Sequence, residues 1–428
     1  MKCFLSQPAV LCAAGTSATA FFDALTRGDR SGIRRISCAA GDKKSDTDFW
    51  AGQIADGVLK PTGDRYDSRF LQILDAALNQ LNVDGAVQKA ISRYGAERIG
   101  VCLGQCDNGS EQSFAAHRAL WTGGVFPEGY GLAAQGADYP ATYAARKFGV
   151  KGVALSFATA CSSSATALVK ARQLILAGIC DAVIAGGVDV ASPTTLLGFD
   201  SLEAISPERT NPFSANRTGI TLGEGAAFFV VSRDDVQETG IVLSGAGESS
   251  DASHMTAPLA DGSGAAQAMK AALADASLTP SEIDYVNLHG TGTKLNDSME
   301  ARAVAAVFGK DAGARQNESG TTAATSDDTG CTAVPVSSTK PMTGHTLGAA
   351  GALELAACFC AIQRQRLPLH LWDRAQDSDL PRLNFVSDAQ PARKITRCMS
   401  NSFAFGGCNI SLVIEKVPAQ PEPDDTRR

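Results

Sequence analysis

Gly152-Val-Ala-Leu-Ser-Phe157 and Asp181-Ala-Val-Ile-Ala-Gly-Gly187 flank Thr159-Ala-Cys161-Ser-Ser-Ser164 and a periodic run that ends at Gly178. The two outer segments are short, apolar and bounded by Gly or Asp, the pattern of buried strands. Between them Ala167, Leu168, Ala171, Leu174 and Ile175 recur at three- and four-residue intervals, so the spacing predicts a helix over 162–178 with one apolar face. Strand, helix and strand in this order make a crossover unit, and a crossover implies a mostly parallel sheet with both faces covered.

The same order of elements recurs along the chain. Arg98-Ile-Gly-Val-Cys-Leu103 reads as a further buried strand before the first unit. Later, Asp284-Tyr-Val-Asn-Leu288 and Val334-Pro-Val-Ser-Ser338 read as strands, Ser298–Phe308 and Gly348–Gln363 as helices, and Asn409–Glu415 as a last strand. A chain of 428 residues exceeds what one ordinary core needs. We therefore expect two halves, 1–240 and 241–416, broken near Glu238–Gly240. Lys310–Gly330 is polar and aperiodic and reads as a mobile surface loop, and 417–428, rich in Pro and charge, as a disordered tail.

Bulk properties exclude several functions. The net charge of −7 comes with no basic run, which argues against nucleic acid as a partner. No apolar stretch reaches the roughly 20 residues that span a bilayer, and the N-terminus lacks a signal-peptide pattern, so the expected location is cytoplasmic. The 12 cysteines show no Cys-x-x-Cys spacing and no metal-ligand framework, so no metal is expected. Nucleotide-binding glycine fingerprints and a G-x-S-x-G elbow are also missing.

Cys161 stands where a strand gives way to a helix. Unpaired N–H groups and the positive end of the dipole collect there, favouring a thiolate and able to stabilise an oxyanion. A small buried cysteine beside N-capping serines would give the same local pattern. His289 and His345 reduce that ambiguity. Each follows a strand and opens a Gly/Thr-rich turn, in Asn287-Leu-His289-Gly-Thr-Gly-Thr293 and in Lys340-Pro-Met-Thr-Gly-His345-Thr-Leu-Gly348, and the chain has only 5 His. His254 reads as structural, and His117 and His370 carry no site signal.

These segments, with Asn211-Pro-Phe-Ser-Ala-Asn-Arg217, Gly223-Glu-Gly225, Asp251–Pro258, Asn296-Asp297-Ser-Met-Glu300 and Asn401-Ser-Phe-Ala-Phe405-Gly-Gly-Cys-Asn409, resemble the β-ketoacyl synthases of fatty acid and polyketide assembly, in the thiolase-like superfamily. The order holds from about Arg98 to Glu415, and the first ninety residues match weakly. The resemblance implies a five-layer α-β-α-β-α fold with two duplicated halves, the first carrying the nucleophile and the second both histidines. It implies a decarboxylative Claisen condensation. Cys161 takes an acyl group, and a malonyl thioester loses CO2 to an enolate held by His289 and His345. The enolate then attacks the acyl-Cys to give a 3-oxoacyl product. Lys340 adds positive potential, Glu354 is buried beside it, and the backbone N–H of Phe405 joins that of Cys161 at the acyl oxyanion. Asp297 and Glu300 are expected to hold loops and helix ends.

No cofactor is implied, because the substrates ride on the phosphopantetheine of an acyl carrier protein. That acidic partner needs a local basic patch, for which Arg65, Arg69 and Arg209 are candidates. The family resemblance also implies a dimer, by default of two like chains, with a heterodimer with a chain-length-factor-like relative as the alternative. A chain-length-factor role for this chain itself is the alternative, opposed by the presence of Cys161, His289, Lys340 and His345. Three departures point to a specialised polyketide or polyene pathway. Ala404 and Cys408 replace the usual Gly and Thr, Leu103-Gly-Gln-Cys-Asp-Asn-Gly109 replaces a Gly-rich turn, and Ser162–Ser164 follow the nucleophile.

Overall fold

The computed structural model describes residues 1–38, 47–107, 109–309 and 332–418. The expected loop at 310–330 and all but the first two residues of the expected tail lie outside the described residues. Among those described, twelve strands join one hydrogen-bonded sheet system: β1 (Phe4–Leu5), β2 (Ala9–Cys12), β3 (Ile99–Gly104), β4 (Ala154–Phe157), β5 (Ala182–Asp189), β6 (Gly225–Ser232), β7 (Ile241–Ser250), β8 (Tyr285–Asn287), β9 (Pro335–Ser337), β10 (Asn384–Phe385), β11 (Arg397–Phe403) and β12 (Cys408–Lys416). Their spatial order is β10-β9-β8-β11-β12-β7-β1-β6-β5-β3-β4, with β2 also on β6.

The duplication is visible in the pairing. In the first half β3 runs parallel to β4 and β5, β5 antiparallel to β6, and β6 antiparallel to β1 and β2. In the second half β8 runs parallel to β9 and β11, β11 antiparallel to β12, and β12 antiparallel to β7. The β1 strand pairs with β6 on one side and β7 on the other, and so joins the halves.

Helices complete five layers. α4 (Ser163–Leu176) and α7 (Ala350–Arg364) lie between the two half-sheets and touch each other, and α1 (Ala18–Arg27) packs against α7. Their small and apolar residues, including Ala165, Leu168, Leu353 and Phe359, share one core with Val183, Phe229, Ile410 and Leu412. Gly351 allows this approach, since a Cβ there would stand 2.9 Å from that of Ala165. The outer face of the first half-sheet is covered by α2 (Arg69–Leu81) and α3 (Tyr139–Phe148), and that of the second by α5 (Ser263–Ala276) and α6 (Lys294–Phe308).

Local differences from the sequence expectations have physical causes. The helix after β4 begins at Ser163, because Ala160–Ser162 form a tight 3-10 turn with Cys161 in its middle. α6 begins at Lys294, four residues before Ser298, because the Thr293 side chain accepts from the Asn296 N–H and caps it. β4 is not buried. It is the free edge of its sheet, and Leu155 is 37% exposed.

Candidate active site

The nucleophile turn holds an uncommon backbone conformation. Ala160 has φ +50°, the left-handed region that costs an alanine about 1 kcal/mol. The serine run secures it. Ser162 Oγ donates to Thr159 O at 2.8 Å, Ser163 Oγ donates to Ala160 O at 2.6 Å, and Ser163 Oγ accepts from Thr159 N at 2.9 Å. A matching turn, Leu347–Ala349, opens α7, and its first residue Leu347 has φ +51°. One of these turns carries Cys161, and the other directly follows the His345 segment in the second half.

The side chains converge tightly. His345 Nε2 lies 2.9 Å from Cys161 Sγ. The His289 and His345 rings meet edge-on, with centroids 5.3 Å apart at 86°. Behind them Lys340 donates to the His289 carbonyl oxygen, stands 3.5 Å from His289 Nδ1, and pairs with Glu354. Glu300 receives the N–H groups of His289 and Gly290, both at 2.7 Å, and fixes the turn that carries the histidine. Asp297 accepts from Phe213 N at 2.7 Å and Gly292 N at 3.2 Å, the loop-holding role expected of it.

Burial decides the charge states. Desolvation, and after it the Lys340 charge, holds both histidines well below their ordinary pKa, so they are neutral imidazoles suited to hydrogen bonding. Desolvation also pushes the Cys161 thiol up to about 11, against the lowering effects of Lys340 and the Phe405 N–H. Burial thus opposes the thiolate that the helix start favours. The thiol needs a proton acceptor when it attacks, and His345 Nε2 is within reach. Glu354 is raised to about 7 by burial, opposed by Lys340.

Cys161, His289 and His345 each offer a ligand atom within 4.8 Å of one another, a spacing that could enclose a metal ion. The Lys340 ammonium beside His289 disfavours a cation there, so the donor set suits a negatively charged group better.

The Phe405 N–H is directed at Cys161, and its ring stacks on Phe199 with centroids 5.9 Å apart. These residues line a cavity of about 530 Å³ with Cys161, His289, His345, Thr291, Thr293 and Asn409. Sequence reasoning passed over Phe199 and also Asp189. The Asp189 carboxylate accepts from Cys106, Asp107 and Gly348 N–H groups at 2.9, 2.9 and 2.7 Å, tying the end of β5 and the segment after β3 to the Leu347–Ala349 turn. Its only sequence signal was an acid at the end of a Gly-Gly strand.

The proposed carrier-binding arginines do not line this cavity. Arg69 gives two hydrogen bonds to the buried Glu224, at 2.7 and 2.5 Å, and one to Ile54 O, so its guanidinium is engaged inside the protein. Arg65 lies over Tyr66, and Arg209 lies over Trp50 at a different cavity.

Residues 9–236 match the family model of the β-ketoacyl synthase N-terminal domain, and residues 241–371 that of its C-terminal domain. The chain belongs to the β-ketoacyl synthases. As a condensing enzyme of this family, it is 35% identical over 331 residues to nodulation protein E of Rhizobium meliloti, covering 76% of each chain. It is 33% identical over 365 residues to 3-oxoacyl-[acyl-carrier-protein] synthase 2 of Coxiella burnetii, covering 81% of this chain and 82% of that one. Among solved structures it resembles the ketosynthase ApeO in complex with its chain length factor ApeC from Xenorhabdus doucetiae, with a TM-score of 0.84, 36% identity and coverage of 97% and 98%. It also resembles the ishigamide ketosynthase/chain length factor, with a TM-score of 0.82, 26% identity and coverage of 97% and 99%. The synthase has one described helical stretch long and apolar enough to cross a membrane, the 18 residues Leu347–Arg364, and 89% of it is buried in the central layer.

Proposed function

We propose that this synthase takes an acyl group from the phosphopantetheine arm of an acyl carrier protein onto Cys161, then extends it with a malonyl unit delivered the same way, working in the cytoplasm. The observation that carries this reading is the 2.9 Å approach of His345 Nε2 to Cys161 Sγ, with neutral His289 facing it and Lys340 behind. In the first step the sulfur attacks the donor thioester. Its proton passes to His345 and leaves on the departing thiol, and the backbone N–H groups of Cys161 and Phe405 hold the oxyanion. In the second step the malonyl carboxylate departs as CO2. The two imidazoles then hydrogen-bond the enolate oxygen, and the enolate carbon displaces Cys161 from the acyl carbonyl.

Support for a carrier-borne substrate comes from the cavity, whose polar wall of Thr291, Thr293 and Asn409 suits an amide-bearing arm, and from the named carrier-protein activity of the 33% identical relative. Support for a partner subunit comes from the free edge at β4. The stretch 114–132, earlier in the chain, also leaves the apolar residues Phe114, Trp121, Val125 and Leu132 exposed. The 36% identical structural relative, a ketosynthase in complex with its chain length factor, favours a silent relative over a second copy and a specialised polyketide or polyene pathway over housekeeping synthesis. The test is intact-protein mass after mixing the enzyme with a panel of acyl carrier proteins. An acyl-sized gain that Cys161→Ala abolishes supports the reading. No gain in the presence of a co-expressed chain-length-factor partner would overturn it.

A further inference from the structure

A second cavity, of about 420 Å³, lies outside the reaction centre and is lined by Arg30, Trp50, Glu208, Arg209, Thr210, Asn211, Trp372 and Asp373. Two guanidinium groups share it. Arg209 stacks on the Trp50 ring at 4.5 Å, and Arg30 gives one long hydrogen bond to Thr210 O at 3.4 Å. Neither guanidinium has a carboxylate within 4.0 Å among the described residues, unlike Arg69, Arg98, Arg217 and Arg233. The Asp373 carboxylate is already taken by Ser214, Asn216 and the Ala375 N–H, at 2.7, 2.8 and 2.9 Å. Buried Arg30 Nε and Trp50 Nε1 donors have no acceptor, and burial together with the nearby Arg209 charge disfavours the Arg30 cation. Glu208 also lines the cavity but pairs with neither guanidinium, and two like charges held together beside idle donors are stabilised by an anion.

Trp372 adds a planar wall. Its ring is braced against His370 and Phe385, with centroids 5.7 and 5.0 Å away, so it is held in place before any ligand arrives. The cavity also borders the reaction centre. The Thr210 hydroxyl bonds to Gly219 O at 2.8 Å and Thr291 O at 3.0 Å, and both of those residues line the Cys161 cavity.

We propose that Arg30 and Arg209 form an anion site for a phosphate ester, separated from the reaction cavity by the Thr210 wall. The planar face of Trp372 extends it toward a ligand that carries a ring beside its phosphate. This site is independent of the condensing chemistry.

The test uses the whole enzyme and intrinsic fluorescence, because two of its 3 tryptophans, Trp50 and Trp372, line the cavity. Pyrophosphate and ADP are titrated at constant ionic strength. The expected result is a saturable change with at least one of them, kept in Trp121→Phe and weakened at least tenfold in Arg30→Gln and in Arg209→Gln. Tighter binding of ADP than of pyrophosphate would support the ring-plus-phosphate form, and equal binding would overturn that part alone. The two arginine variants are also expected to melt no lower than the parent without ligand, since each removes a like-charge repulsion. No saturable change with either probe, or one that survives both arginine substitutions, would overturn the proposal.

Discussion

Lys340 and Glu354 form an ion pair in which neither side chain is more than 3% exposed. Such a pair contributes little net stability, but breaking it is expensive, because the remaining charge is buried alone. Lys340→Met is expected to destabilise the fold by about 3–5 kcal/mol. The double variant Lys340→Met/Glu354→Leu is expected to recover most of that loss. Its malonyl decarboxylation should nevertheless stay depressed by roughly a hundredfold, the scale set by the loss of one oxyanion-stabilising group. Melting curves and CO2 release separate the two effects. A double variant that regained both stability and decarboxylation would show that Lys340 serves the fold alone.

Glu300 offers a cleaner test of positioning. Its two carboxylate oxygens receive the N–H groups of His289 and Gly290, and burial raises its pKa to about 8. Glu300→Ala leaves two buried donors unmet, each costing about 1–3 kcal/mol. In the proposed mechanism acyl loading of Cys161 does not use His289, whereas decarboxylation does. Decarboxylation should therefore fall by at least tenfold more than loading. Equal loss in both half-reactions would point to general loosening of the site.

The neutral histidines give a pH signature with a definite sign. The folded pKa values of His289 and His345 lie well below 6.5, while in the unfolded chain each titrates near its ordinary value of about 6.5. Below pH 6.5 the unfolded state therefore binds more protons, and the stability these two groups allow is lost as the pH falls. Between pH 6.5 and 5 the urea midpoint of the parent should drop more steeply than that of His289→Gln/His345→Gln. Parallel slopes would mean that the pair protonates within the fold.

Much of this candidate site is legible in the sequence, because its residues sit where strands end and helices begin, and such junctions leave sharp local signals. Cys161, His289 and His345 each stood at one. The relationship between the two halves was coarser, since residue order alone does not reveal that β1 bridges both half-sheets or that Ala160 and Leu347 adopt the same left-handed turn. Asp189 was hidden for a different reason. Its role lies in accepting backbone N–H groups from segments more than eighty positions before and far after it, and a carboxylate used this way has no motif. Arg69 shows the converse case. A candidate for the carrier-binding patch, it is clamped by Glu224, which only the fold brings near.

Ala404 connects sequence to rate. Its N–H donates to Cys408 O at 3.0 Å, and it precedes Phe405, whose ring stacks on Phe199 and whose N–H faces Cys161. Any swing of the Phe405 ring to admit an acyl chain must turn the 404–405 backbone. Glycines 406 and 407, at φ +85° and +74°, already supply freedom on the far side, so Ala404 is the stiff side of the hinge. Ala404→Gly relaxes it by roughly 0.5–1 kcal/mol, which corresponds to about two- to fivefold in rate if opening limits acyl loading. Loading of long acyl groups, followed by intact mass, should accelerate by that factor, with less effect on acetyl, which needs little movement of the ring. An unchanged long-chain rate would place the slow step elsewhere than the Phe405 hinge.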